Sequence, residues 1–523
     1  MKNTLCIWFL AIGILAADER PNIFFFFADD WGRYTSTYAN PDVPSLNDVI
    51  ETPNIDRIGK EGVVFENAFV PVASCGPCRA SLATGRYFWN CGSGAFLNGK
   101  ASNWKGHKNP MQTLPKFGDL IRESGYFATS SRKTFAFERS KPTQAYRDFG
   151  EVRYERYGLY VGAAADESER KKRHDEVVEN SRREMRRMIE GTPDDQPFFF
   201  TFGAINVHRP YTPDSGEKLW GIDPDSLNGL IPPFLPDVPD VRRDFSDYLG
   251  EVLALDLMLG AMLEELEAAD ELDNTLVILS GDHGIPGVPR GKTNCYDLAT
   301  RVPMIARWPE KIKPGRRVHD FVSVMDVGPT LMEVAGLEVP ESMDGRSFHR
   351  QLLAAESGWI DERRDRVVIG RELHFHNARP GNLPYPMRAI RTKDFLYIRN
   401  FKPKRWPMGD PYDAGELTSV QNLYQIGLST MPAYRDLDGS LTKAHMMANP
   451  DQLFDLTMRP RSDEELYSLR SDPHQMKNLA EDPEMESQLK KFRAEIGEIM
   501  QETQDPRLDD AFDALPWVDS TRP

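Results

Sequence analysis

The sequence predicts an α/β domain followed by a smaller α+β domain, and three observations carry that prediction. Short continuous apolar runs recur over the first 300 residues, each breaking off into polar residues; a helical pattern lies between two of them; and the patterning shifts after about residue 355. Continuous apolar runs of this length suit strands of a sheet buried on both faces. Alternation of such strands with helices gives an α/β layer, in which ligands bind at the carboxyl ends of the strands.

The elements follow in chain order. Lys2, the apolar run Leu5 to Leu15 and the small pair Ala16-Ala17 read as a signal peptide over residues 1–17, so an exported protein is expected: periplasmic, extracellular or lysosome-like. The first strand is Asn22-Ile23-Phe24-Phe25-Phe26-Phe27-Ala28, ending in Asp29-Asp30; the second is Pro197 to Phe202, leading to Asn206 and His208. Phe245 to Ala269 carries apolar residues at helical spacing, and Leu276 to Leu279 is a third strand, leading to Gly281-Asp282-His283-Gly284. Three strands ending in ligand-type residues point to one shared site. The domain is expected over 18–358. Arg366 to Ile369 and Met387 to Ile398 read as antiparallel strands, and Leu479 to Met500 as an amphipathic helix, giving a second domain over 359–510 and a loop-like tail at 511–523.

Charge narrows the partners. The 523 residues include 64 Lys plus Arg against 80 Asp plus Glu, a net charge of −16 without a basic block, which argues against nucleic acid. After the signal peptide no stretch approaches the ~20 apolar residues of a membrane span, so no stable membrane insertion is expected. Cys75, Cys78, Cys91 and Cys295 are too few for a disulfide framework. Asp29, Asp30 and Asp282 offer hard carboxylate oxygens suited to Ca²⁺ or Mg²⁺. An isolated Asp-Asp is ordinarily a turn or cap pair, but a third carboxylate at another strand end favours a metal.

The most specific segment is Cys75-Gly76-Pro77-Cys78-Arg79-Ala80-Ser81-Leu82-Ala83-Thr84-Gly85-Arg86. With Thr52-Pro53-Asn54-Ile55-Asp56, Arg301-Val302-Pro303 and Met325-Asp326-Val327-Gly328-Pro329-Thr330, it resembles the formylglycine-dependent (type I) sulfatases across nearly the whole mature chain. The resemblance implies an alkaline-phosphatase-like large mixed sheet sandwiched by helices, a formylglycine made from Cys75 by a formylglycine-generating or maturating enzyme, and a Ca²⁺ or Mg²⁺ ion held by Asp29, Asp30, Cys75, Asp282 and His283. His283 stands where these proteins more often carry Asn; a hydrogen-bonding role beside the ion is the alternative. The hydrated aldehyde of that family attacks sulfur through one of two geminal hydroxyls, which an unmodified thiol lacks. Arg79 is implied as the cation holding the formylglycine, Lys133 and Lys292 as sulfate-gripping lysines, and His208, in His208-Arg209-Pro210-Tyr211, as the proton donor to the leaving atom. Surface lysines and a core histidine are the ordinary alternatives.

Two positions depart from the family. Cys78 replaces a Ser or Ala, leaving open a Cys75–Cys78 disulfide; and no histidine follows Lys133 in Thr134-Phe135-Ala136-Phe137-Glu138, so Glu138 or water is left to assist sulfate expulsion. Arg371-Glu372-Leu373-His374-Phe375-His376 and Tyr385-Pro386-Met387-Arg388-Ala389-Ile390 resemble the heparan N-sulfatase (sulfamidase) branch, making His374, His376 and Arg388 candidates for sugar contacts, with domain packing as the alternative. The expected substrate is a sulfated oligosaccharide or polysaccharide, bearing N-sulfoglucosamine or O-sulfate. A phosphate or phosphonate ester hydrolase and a non-catalytic sulfated-glycan binder are the competing readings.

Overall fold

The computed structural model describes residues 20–97, 108–133, 156–411, 420–510 and 513. The expected signal peptide, the segment from Thr134 to Glu138 and nearly all of the expected tail lie outside them.

Among the described residues, seven strands form one large mixed sheet: β1 (Asn22–Ala28), β2 (Val63–Phe69), β3 (Phe127–Arg132), β4 (Phe198–Gly203), β5 (Thr275–Gly281), β6 (Met304–Arg307) and β7 (Arg316–Ser323), in the order β3-β4-β1-β5-β6-β2-β7. β1 lies parallel to β4 and β5, while β6 runs antiparallel to both its neighbours. The apolar run of β1 has a simple cause. Ile23, Phe25 and Phe27 enter one core, whereas Phe24, Phe26 and Ala28 enter another on the opposite face, as the two-residue period of a strand dictates. The helices Glu167–Gly191 and Pro239–Ala268 cover the second face; Cys75–Thr84 and Val327–Val334 cover the first. Burying each such Phe or Leu contributes roughly 1.5–3 kcal/mol.

A second, antiparallel sheet has the order β11-β10-β9-β8, from β8 (Arg366–Arg371), β9 (Met387–Thr392), β10 (Phe395–Asn400) and β11 (Glu464–Ser468). The segment expected as strand from Met387 to Ile398 is a hairpin, turning where Thr392 Oγ1 accepts from the Phe395 amide. The terminal helix begins at Glu486, later than its apolar pattern suggested. Asn478 Oδ1 instead accepts from the amides of Leu466 and Ala480, and Asp482 caps a short turn opened by Pro483. Residues 401–411 and 420–463, between β10 and β11, add no strand to this sheet. Their helix Leu441–Ala448 packs on Pro239–Ala268, where Thr442 Oγ1 donates to Asp244 at 2.6 Å.

Arg388 corrects an expectation. Its side chain is fully buried, bonded to Asp505 (2.8 Å) and Glu372 (2.9 Å) and stacked over Trp89, so it is closed to a sugar. Arg507 completes the cluster by pairing with Glu372, which anchors the exposed turn past Pro506 through one buried side chain. Removing one partner of a buried ion cluster leaves uncompensated charge. Arg388→Ala is therefore expected to cost about 3–5 kcal/mol of stability, read as a lowered midpoint in thermal or urea denaturation.

Candidate active site

The parallel register of β4-β1-β5 brings three strand ends together, with Ala28 opposite Gly281 and Phe26 opposite Phe202. Backbone bonds lock the turns that follow: Asp29 N donates to Ala204 O and Asp282 N to Ala28 O. Asp30 has φ +59°, a left-handed conformation that Asp tolerates better than most residues, and its amide donates to Asp282 Oδ1 at 2.9 Å. Asp29, Asp30, Asp282 and His283 are all buried here.

Ligand-type atoms of Asp29, Asp30, Cys75 and His283 lie within 4.8 Å of one another. Asp282 borders the set, its Oδ1 3.5 Å from His283 Nε2 and its Oδ2 accepting from Arg79 Nε at 3.0 Å. His283 Nδ1 donates to Gly284 O, which turns the Nε2 lone pair toward Asp30 and Cys75, both at 3.2 Å. Burial raises Asp282 above the ordinary carboxyl range and the neighbouring Asp29 charge adds to it. Burial acts the same way on Asp29, but Lys133, His208 and Arg79 outweigh it and hold that carboxyl well below the range. Buried carboxylates crowded this closely fit a hard divalent cation, which their oxygens and one imidazole would hold.

Cys75 opens the helix Cys75–Thr84, with Ser74 as its cap residue. Gly76 is required by close approach: a Cβ there would stand 2.5 Å from Leu97 O. Gly85 ends the helix at φ +64°, which explains the Gly of Thr84-Gly85-Arg86. Burial and then the Asp29 charge push the Cys75 thiol well above its usual range, so the unmodified residue is a neutral thiol rather than a thiolate. Cys78, one turn on, is wholly buried in the core; all four described cysteines are free thiols, so the Cys75–Cys78 disulfide is not formed.

Cations surround these acids. Arg79 is buried, donating to Asp282, to Lys133 O (3.0 Å) and to Asp29 (3.4 Å), with its guanidinium over Phe27. Lys133 Nζ reaches Asp29 Oδ1 at 2.5 Å, and Lys292 Nζ reaches Asp30 at 3.1 Å. Burial opposes the Lys292 charge, but Asp30 and its neighbours hold it protonated well above the lysine range. Thr293, a β-branched residue at φ +77°, marks strain in the loop that aims Lys292; its amide is held by Ala73 O. His208 Nδ1 faces Arg209 O at 2.6 Å, leaving Nε2 3.9 Å from Asp29 on the accessible side.

His374 is brought to the site, but by packing: its Nδ1 meets Ser74 Oγ at 2.7 Å, and burial and then Lys292 push the imidazole down to about 3, so it stays neutral. His376 lies half-buried against Asn382. The sequence reading missed Asp436 and Asp438, delivered by the excursion after β10. Asp436 pairs with Arg371 (2.7 Å) and Arg379 (2.8 Å), and Asp438 lies 3.5 Å from Lys292. Asp436-Leu437-Asp438-Gly439 has the composition of any surface turn, so no sequence signal marked it.

Comparison with known proteins gives the family. The sulfatase family model fits residues 21–337, more than half of the chain. The chain belongs to the sulfatase family. A second match, described as N-sulphoglucosamine sulphohydrolase, C-terminal, covers residues 290–436. An ulvan-active sulfatase of Formosa agariphila is 26% identical over 494 residues, covering 88% of this sulfatase and 75% of the relative. N-sulphoglucosamine sulphohydrolase of Homo sapiens is 28% identical over 492 residues, covering 88% of each chain. A solved structure in complex with its substrate D-glucosamine-2-N,6-O-disulfate shares the fold, with a TM-score of 0.59 and 19% identity over 94% of this chain and 99% of that one. The protein is accordingly a sulfuric ester hydrolase of mixed α/β fold.

The crowded carboxylates predict a metal effect independent of turnover. Ca²⁺ is expected to raise the thermal midpoint of the protein and a chelator to lower it. Asp30→Asn should weaken Ca²⁺ binding, measured by calorimetry, by roughly 100-fold.

Proposed function

We propose that the protein hydrolyses the sulfate group of a sulfated glycan through a formylglycine formed at Cys75, with N-sulfoglucosamine at a chain end as the first substrate class. One observation carries the chemistry: Cys75, at the mouth of a helix, faces the acids of three strand ends while Arg79, Lys133 and Lys292 crowd the same point. When present, the aldehyde hydrate would supply the attacking hydroxyl, and Ca²⁺ or Mg²⁺ would supply positive charge for the sulfate oxygens.

The chain's own residues do the rest. Lys133 and Lys292 rest on Asp29 and Asp30 and are placed to transfer to the peripheral oxygens of an arriving sulfate. Arg79 bridges Asp29 and Asp282 and so holds the acid cluster in register with the helix that bears Cys75. His208, with Nδ1 anchored on Arg209 O, presents Nε2 as the group that protonates the departing oxygen or nitrogen. Among sulfated sugars, the N-sulfoglucosamine reading is supported by the match over residues 290–436 and by the 28% identity to the human sulphohydrolase. A second reading, an O-sulfated polysaccharide, is supported by the 26% identity to the ulvan-active sulfatase. Residues 1–17 further support export, with the maturating enzyme acting in the same cell.

The test is sulfate release, measured by ion chromatography, from N-sulfoglucosamine and from O-sulfated sugars after coexpression with a formylglycine-generating enzyme. Release from N-sulfoglucosamine is expected, and Cys75→Ala should slow it by roughly 10³-fold or more. Release from O-sulfated sugars alone would replace the first substrate class with the second. Undiminished release by Cys75→Ala would overturn the mechanism.

A further inference from the structure

Asp438 is an acid placed where an acid is costly. Its carboxylate lies 3.5 Å from Lys292 Nζ, one of the two lysines positioned for sulfate, and a negative charge there repels the sulfate that Lys292 attracts. The surroundings keep it ionised: burial pushes its carboxyl up, but Lys292 above all, with His208 and Arg209, brings it far below the ordinary range. Yet the side chain is 21% exposed, and among the described residues no group donates a hydrogen bond to it. An ionised carboxylate has about four acceptor positions, and apart from the ion pair with Lys292 no described group occupies them.

Its position is nonetheless tightly fixed. Two residues earlier, Asp436 is clamped by Arg371, by Arg379 and by the Phe375 amide, while its carbonyl accepts from Thr293 Oγ1 at 3.2 Å. Ser440, two residues later, donates to Gly287 O at 2.6 Å. Lys443 closes the loop from beneath. Its buried ammonium donates to the carbonyls of Ala433 (2.7 Å), Leu437 (2.9 Å) and Ser429 (3.0 Å). A surface acid needs no such support, whereas a recognition group does.

We infer that Asp438 is a specificity-determining residue that accepts hydrogen bonds from ring hydroxyls neighbouring the sulfate-bearing atom of the sugar. The inference rests on the sulfated-glycan reading above. Its chemistry is that of a carboxylate reading vicinal hydroxyl donors, strong because the acceptor is charged and partly shielded from water. The repulsion it imposes on a bare sulfate is then offset only by a substrate that carries such hydroxyls. Asp438 thus selects a sulfated sugar over a sulfated group without hydroxyls.

Two measurements test this on the full-length, formylglycine-bearing protein and on the Cys75→Ala protein. In the first, kcat/KM is compared for a sulfated monosaccharide and for 4-nitrophenyl sulfate, which has no hydroxyl to offer. Asp438→Asn and Asp438→Ala should lower the sugar-to-aryl ratio by about 10- to 100-fold. In the second, calorimetry on Cys75→Ala with and without Asp438→Asn should show weaker binding of the sulfated sugar and tighter binding of inorganic sulfate. An unmoved ratio, with both substrates losing together, would mean that Asp438 only orients Lys292 and would overturn the inference; so would weaker binding of inorganic sulfate. Turnover of 4-nitrophenyl sulfate by the parent with none of any sulfated sugar would instead overturn the glycan reading, and the inference with it. Circular dichroism of the variants separates a local change from misfolding.

Discussion

The site depends on one constraint: β4, β1 and β5 run parallel in a register that ends all three strands at the same point. Parallel strands emerge on the same side of a sheet, so their following residues must share space. Here those residues include Asp29, Asp30, Asp282 and His283, buried beneath the helix that begins at Cys75. The cost of burying several carboxylates is met by Arg79, Lys133 and Lys292, and the same cations are what a sulfate group needs. In the proposed function, acid cluster and sulfate-gripping cations are therefore two aspects of a single charge arrangement. The aromatic run of β1, packed into both cores, makes the register hard to shift.

The second sheet contributes by reaching back. β8 carries the chain into Glu372, His374 and the turn beyond, placing His374 against Ser74, the residue that starts the Cys75 helix. The excursion between β10 and β11 then crosses to Pro239–Ala268 and ends its loop beside Lys292. A chain segment far from the strand ends thereby comes to within 3.5 Å of Lys292. Lys443 shows how the loop is kept: a buried ammonium surrounded by carbonyls substitutes for regular secondary structure. Burial, opposed only partly by Asp438, lowers that ammonium to about 7.

Much of this was legible in the sequence because the informative residues sit in regular elements. Continuous apolar runs give both strand identity and burial, and the polar residues that end them mark the site. The Cys75-to-Arg86 segment was legible through its resemblance to the family signature, and its two glycines have steric reasons, as Gly76 against Leu97 O and Gly85 at positive φ show. Arg388 was misread because a motif reports neither burial nor partners; the same residue serves equally as sugar contact or core ion pair until Glu372 and Asp505 are seen beside it. The start of the terminal helix was misplaced because its apolar periodicity extends through Leu479, while Pro483 and the Asn478 bonds hold that stretch in turns. Asp438 was invisible for a different reason. Its importance comes from a contact with Lys292, 146 positions away, that no local pattern encodes.

The central claim is that the strand-end acids form a cation site set against Cys75. Anomalous diffraction from a crystal equilibrated with Mn²⁺ or Ca²⁺ tests it most directly. The account predicts one peak within about 2.0–2.6 Å of carboxylate oxygens from Asp29, Asp30 and Asp282, with Lys133 drawn away from Asp29. A saturating cation that leaves no peak there, with Lys133 still seated on Asp29, would contradict it.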